Sequence, residues 1–381
     1  MVIFSMYING VGRTKFGDTP KSLVELVYEA MYAAIQDSPL NIRDIDAIFV
    51  SNFLGGLLNR QLHLNSLIAS LIPGVNIPII RLEAACASSS ASLNQAIYSL
   101  SKFSNVMVIG VEKMNGTKFV NPIDAIATAG DYSLDTRNGL IFPAAYALIA
   151  QQYMNKYGVD HDVLEKVSYL NHKNANLNPL AHFYHKKVTR QMIKDSPVVA
   201  TPLNLFDCSP ISDGAVSVII SSKRYSDRDI PILSSQISTD SISLTQRTDL
   251  TSFKATKIAS RKAYDEAGIQ PEDIDFLEVH DCFTINQLIA LEDLQICKPG
   301  QASELVESGD IEINGKIPVN VDGGLKANGH PIGATGLAQI FEIVTQLRLE
   351  ADKRQVDNPE IGLAHNIGGV GGTSGITILG R

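Results

Sequence analysis

The chain has 381 residues, enough for two or three domain-sized units. At 45% hydrophobic and 19% charged it reads as a well-buried globular protein, not a disordered one. A net charge of −8 with no basic stripe argues against nucleic acid as the main partner, though a local basic spot could hold a phosphorylated cofactor.

The opening run MVIFSMYING is apolar, but it is too short for a signal peptide and lacks the basic start of one. No uninterrupted apolar stretch is long enough to span a bilayer. Residues 22–36 have apolar positions at helical spacing. DIDAIFVS (44–51) and IPIIRLEAA (77–85) read as strands, SSSASLNQAIYSLSK as a helix and NVMVIGVEKM (105–114) as a strand. Residues 115–205 change character, being rich in Asn, Tyr and His, with one clear helix, AAYALIAQQYMNKYG. This stretch reads as an insertion lying over the sheet, a natural substrate lid. DCSPISDGA (207–215) reads as a loop leading into the strand VSVIIS. Then come a helix (FKATKIASRKAYDEAGI), two strands (DIDFLEVHD and KIPVNVDGG), a helix (GATGLAQIFEIVTQLR) and a last strand (EIGLAHNIGG). The order is α/β with mainly parallel strands. The C-terminus ITILGR carries no receptor-read address, and the expectation is a soluble, cytoplasmic protein.

Two segments repeat. DIDAIFVS returns 229 residues later as DIDFLEVH. SSASLNQAI, from Ser89, resembles GATGLAQIF, from Gly333, at an offset of 244. That offset sets Cys86 opposite His330 in two copies of one unit.

The four cysteines (Cys86, Cys208, Cys282 and Cys297) form no CxxC pair, so neither a structural zinc site nor a secreted disulfide framework is expected. Cys86 lies between a strand end and a helix start, where free N–H groups favour a thiolate. A lone buried cysteine is more often inert, but its pairing with His330 across the repeat favours a nucleophile. His330, in NGHPIGATG, is then the base that takes the thiol proton. His280 and Cys282, two apart in HDCF at a strand end, project to one side and read as catalytic. A His-x-Cys pair is also a metal fragment, but no other ligands have metal spacing. The glycine-rich turn of HNIGGVGG (365–372) offers backbone N–H groups for an oxyanion. Cys208 and Cys297 read as structural. His185, Lys186 and Lys187 form a basic cluster, either a phosphate contact or a solvated face.

Together EAACAS, HDCF, GGLKANGHPIGATG and AHNIGGVGG resemble the thiolase superfamily. The HDCF variant is similar to sterol-carrier-protein-type thiolases and to archaeal acetoacetyl-CoA thiolases. The resemblance spans the whole chain and implies two duplicated βαβαβαββ halves in a five-layered αβαβα core with an inserted loop domain. Residues 1–114 with 206–225 would form the first half, 115–205 the loop domain and 226–381 the second half. It implies that Cys86 is the acylated nucleophile and that His330 activates it and lines an oxyanion hole. His280 would stand in for an Asn that orders an oxyanion-hole water. Cys282 would be the acid/base, because Asn366 occupies the place where other thiolases carry that cysteine. The N–H groups of Cys86 and Gly368 would form a second oxyanion hole. One departure is Ser89, where the family has Gly; its Cβ would crowd or narrow the acyl pocket.

The implied function is acetyl-CoA C-acetyltransferase activity on acyl-CoA and CoA, with no further cofactor and no metal. The alternatives are a broad-chain 3-ketoacyl-CoA thiolase or a non-catalytic acyl-CoA-binding subunit. His185, Lys186 and Lys187 would meet the CoA phosphates. The implied partners are a second copy of the chain, in a dimer or tetramer, and a small OB-fold zinc-ribbon protein that passes acetoacetyl-CoA to HMG-CoA synthase of the mevalonate route.

Overall fold

A computed structural model describes residues 6–381. The first part of the apolar N-terminal run lies outside the described residues. The strand signals of the first half become β1 (Tyr7–Arg13), β2 (Ala47–Ser51), β3 (Ile79–Leu82), β4 (Asn105–Glu112) and β5 (Gly214–Ser221). In β2, β4 and β5 every residue is buried, which is why these strands read as continuous apolar runs without alternation. The second half supplies β6 (Ile230–Thr239), β7 (Phe276–Glu278), β8 (Ile361–Gly368) and β9 (Thr373–Gly380).

The sheet order is β3-β2-β4-β5-β1-β6-β9-β8-β7, a palindrome of two equivalent halves. The halves meet through a two-residue ladder, Tyr7 with Pro231 and Ile8 with Ile230. In each half a parallel pair (β2 with β4, β7 with β8) is followed by antiparallel strands, so antiparallel pairings outnumber parallel ones and the expectation of mainly parallel strands is corrected. KIPVNVDGG takes the place equivalent to β3 without forming a full strand. Only Val319 bridges Leu277. Asn320 turns left-handed at φ 52°, and its Oδ1 accepts the Val279 N–H that a neighbouring strand would have taken.

The helices α1 (Leu23–Asp37), α2 (Ser88–Ser99), α3 (Phe142–Tyr157), α4 (His161–Ala175), α5 (Lys254–Ala267), α6 (Thr284–Asp293) and α7 (Thr335–Leu347) complete the layers. α2 and α7 pack against each other between the two half-sheets. α1 covers the outer face of the first half-sheet and α5 that of the second. The result is the five-layered αβαβα core expected from the motifs.

The lid stretch holds a second long helix, α4, besides the expected α3. Its buried face is mixed: Val163, Leu164, Val167 and Leu170 are enclosed, and so are Glu165, Ser168, Asn171, His172 and Asn174. Most find partners: Asn171 donates to Asp281 and Gln287, Asn174 to the Asn320 carbonyl, and Ser168 to that of Phe206. The first half of the helix carries an apolar stripe, but its second half buries hydrogen-bonded polar groups instead. Among the described residues no helix is long and apolar enough to cross a membrane.

Candidate active site

The duplication brings Cys86 and His330 together because each opens one of the two central helices at the sheet midline. Cys86 precedes α2 in a turn where Ala85 is left-handed (φ 50°) and Ser88 Oγ accepts the Ala84 N–H. His330 precedes α7. Its loop is held by the buried Glu112 carboxylate, which accepts N–H groups from Phe53, Leu54 and Gly333 and so ties the end of β4 to both loops. One ligand atom each of Cys86, His280 and His330 lie within 4.8 Å of one another, all buried.

The hydrogen bonds assign roles to the ring nitrogens. Thr335 Oγ1 donates to the Pro331 carbonyl, so it accepts from His330 Nδ1–H at 2.6 Å. That leaves Nε2 of His330 unprotonated, a lone pair for the site. Burial pushes the His330 pKa down to about 3 and the Cys86 thiol up to about 12, the latter helped by the nearby charge of Glu112. The N–H of Gly369, a larger influence than Glu112, and that of Cys86 itself oppose this by pointing at the sulfur. A thiol held high in this way needs the base that the sequence assigned to it, His330. Desolvation outweighs the dipole, and the resting pair is a neutral thiol and a neutral imidazole.

HDCF does not lie on a strand. β7 stops at Glu278, and residues 280–283 form the loop that enters α6. The alternation argument for His280 and Cys282 thus fails, yet both reach the site. The ring of His280 stands edge-on to that of His330, with centroids 5.2 Å apart. Cys282 faces Cys86 and the hydroxyl of Tyr146, and burial drives its thiol well above the ordinary range. Tyr146, fully enclosed in α3 and stacked on Phe283, donates to the Gly369 carbonyl at 3.2 Å. The sequence offered no signal for Tyr146, which looks like any apolar position of an amphipathic helix.

The segment after Asp207 also belongs to the site. Ser209 N–H donates to the Cys282 carbonyl, and Ile211 bridges His330. Cys208 lies in this stitch, while Cys297 lies apart from it, partly buried. Gly368 sits against the nucleophile turn: a Cβ there would fall 2.5 Å from the Ala84 carbonyl. Ser89 Oγ accepts the Leu337 N–H in the first turn of α7 and so acts as a cap supplied from the companion helix. His185, Lys186 and Lys187 are exposed, and Lys186 lines an open cleft with Lys15, Lys21 and His182, away from the Cys86 group.

Two histidines and a thiol at this spacing are a familiar set for a soft cation. Asn366 Nδ2 stands 3.0 Å from His280 Nδ1, however, so only Nε2 of that ring is left without a partner among the described residues.

Comparison with known proteins settles the family. The thiolase N-terminal domain matches residues 6–224 and the thiolase C-terminal domain matches residues 237–381. The chain belongs to the thiolase family. This thiolase is an acyltransferase and is 45% identical to acetyl-CoA acetyltransferase of Methanothermobacter thermautotrophicus over 98% of both chains. It is 31% identical to sterol carrier protein 2 of Bos taurus over 98% of this chain and 72% of that one. The Ltp2-ChsH2(DUF35) aldolase structure superimposes with a TM-score of 0.87 at 23% identity, covering 100% of this chain and 99% of that one. At that identity the likeness speaks for the fold.

Proposed function

We propose that this thiolase is an acetyl-CoA C-acetyltransferase that interconverts two acetyl-CoA with acetoacetyl-CoA and CoA. The convergence of Cys86, His280, Cys282 and His330 in one buried site carries the reading. In cleavage, His330 Nε2 takes the Cys86 proton as the sulfur attacks the 3-keto carbon. The carbon–carbon bond breaks, its electrons leave as the acetyl-CoA enolate, and Cys282 protonates that carbon. CoA thiol then takes the acetyl group from Cys86, returning a proton to the site. In synthesis, Cys282 removes the α-proton and the enolate attacks acetyl-Cys86. The enolate oxygen is held by His280 Nε2–H, a donor with no partner among the described residues.

The acetyl preference rests on the packing at the sulfur. Cys86 shares a closely packed apolar cluster with Leu54, Leu58, Met114, Ala125 and Ile332, and this packing supports a short acyl group at the sulfur. The name of the Methanothermobacter relative supports the same substrate. CoA would enter as the acyl carrier, its phosphates meeting the exposed His185–Lys187 cluster; Lys186→Glu then raises KM for CoA and leaves kcat unchanged.

CoA-dependent loss of acetoacetyl-CoA enolate absorbance tests the reading. Wild type is expected to cleave and Cys86→Ala to lose at least about 10⁴-fold, as removal of other activated nucleophiles does. Cleavage of long 3-ketoacyl-CoA in preference to acetoacetyl-CoA would favour the broad-chain alternative. A wild type inactive on all of them would sink the enzymatic reading.

A further inference from the structure

Asn366 stands at the end of β8, buried, between α2 and the HDCF loop. Ser90 Oγ in α2 donates to Asn366 Oδ1 at 2.9 Å, and Asn366 Nδ2 donates to His280 Nδ1 at 3.0 Å. The place of the amide oxygen sets the direction of this chain. The amide oxygen lies against Gly336 in the first turn of α7, the end of a helix that favours a negative atom. Gly336 leaves it that room, since a Cβ there would stand 2.6 Å from Asn366 Oδ1 and 2.5 Å from Ser90 Oγ. Gly375 likewise gives way to Ser90.

We propose that Asn366 is a positioning residue which, oriented by Ser90, holds His280 in the Nε2–H tautomer, so that the imidazole presents a proton rather than a lone pair to the enolate oxygen. The proposal rests on the thiolase mechanism above. It also gives a physical use to a residue standing where the resemblance would place an acid/base cysteine. In the other tautomer a lone pair would face the developing negative charge.

Asn366→Asp is the test, because it is isosteric and inverts the hydrogen bond. The carboxylate accepts from Nδ1–H, so Nε2 carries a proton only while the ring is an imidazolium. The variant's cleavage rate should fall as pH rises through the new pKa of His280, reaching about 10²–10³-fold below wild type, the cost of one lost oxyanion donor. Acetylation of Cys86 by acetyl-CoA should continue. The other titratable groups facing His280 cannot mimic this fall. Burial holds Cys86 at about 12 and both His330 and His365 at about 3, and it lifts Cys282 far above neutrality. Asp281, pushed to about 7, turns its carboxylate to the Leu325 N–H and to Asn171. A variant with the wild-type pH profile, or one losing acetylation and cleavage equally at every pH, overturns the proposal. The imidazole ¹⁵N shifts of His280, assigned by their loss in His280→Asn, decide it independently of turnover. Wild type should show a protonated Nε2 and a bare Nδ1, and the reverse overturns it even if the chain cleaves nothing.

Discussion

Cys86 enters the site at a helix start, a place that by itself favours a thiolate, yet its thiol is pushed up to about 12 by burial. The consequence is measurable. Because the folded pKa lies above the ordinary value, the thiolate fraction stays small through neutral pH. Alkylation of Cys86 by iodoacetamide should keep rising through pH 9 without levelling. A plateau near pH 7 would mean a standing thiolate–imidazolium pair. Ser89 shows the same dependence on surroundings. In sequence it reads as an obstruction to the acyl group; in the fold it caps Leu337. Ser89→Gly should cost about 1 kcal/mol, from the lost hydrogen bond to Leu337 and the backbone freedom glycine brings to α2, read as an earlier urea midpoint, with the acyl-length profile unchanged. A shifted profile would place Ser89 back in the pocket. Met114→Ala is the converse case: it should widen the cluster at Cys86 and raise activity on six-carbon 3-ketoacyl-CoA relative to acetoacetyl-CoA.

At the scale of elements, the lid is fastened by polar contacts. His161 opens α4, and its Nε2 meets the buried Asp207 at 2.9 Å. Asp207 also accepts from the Thr284 hydroxyl and the Asn204 N–H. The hydrogen bond to Asp207 raises the His161 pKa. A histidine whose pKa is raised by folding contributes stability below its unfolded value of about 6.5 and loses it as pH rises through the folded value. Proteolysis within 115–205 should therefore quicken from pH 6 to pH 8.5, and His161→Gln should abolish that dependence. Equal cleavage at both pH values in wild type would exclude His161 as a fastening. α4 also shows why the lid was only partly legible. Its apolar positions Val163, Leu164, Val167 and Leu170 give way after Leu170 to the buried polar Asn171, His172 and Asn174.

For the whole molecule, the halves share their interior. One apolar cluster joins Ile8, Leu93 and Val216 of the first half to Leu337, Ile343 and Leu379 of the second. Residues 1–224 expressed alone should expose this face and show no cooperative thermal transition; a sharp transition would mean that the first half folds unaided. The α/β class, the duplication and the four motifs were legible in the sequence, because buried strands and repeated helix starts are local patterns that survive without contacts. Cys86, His280, Cys282 and His330 could be named from those motifs. Only the tertiary structure decided their states. The neutral resting thiol comes from burial, the free Nε2 of His330 from Thr335, and the lone donor of His280 from Ser90 and Asn366, 276 residues apart in the chain. Such properties belong to desolvation and to hydrogen bonds between distant segments, and these exist only once the two central helices lie side by side.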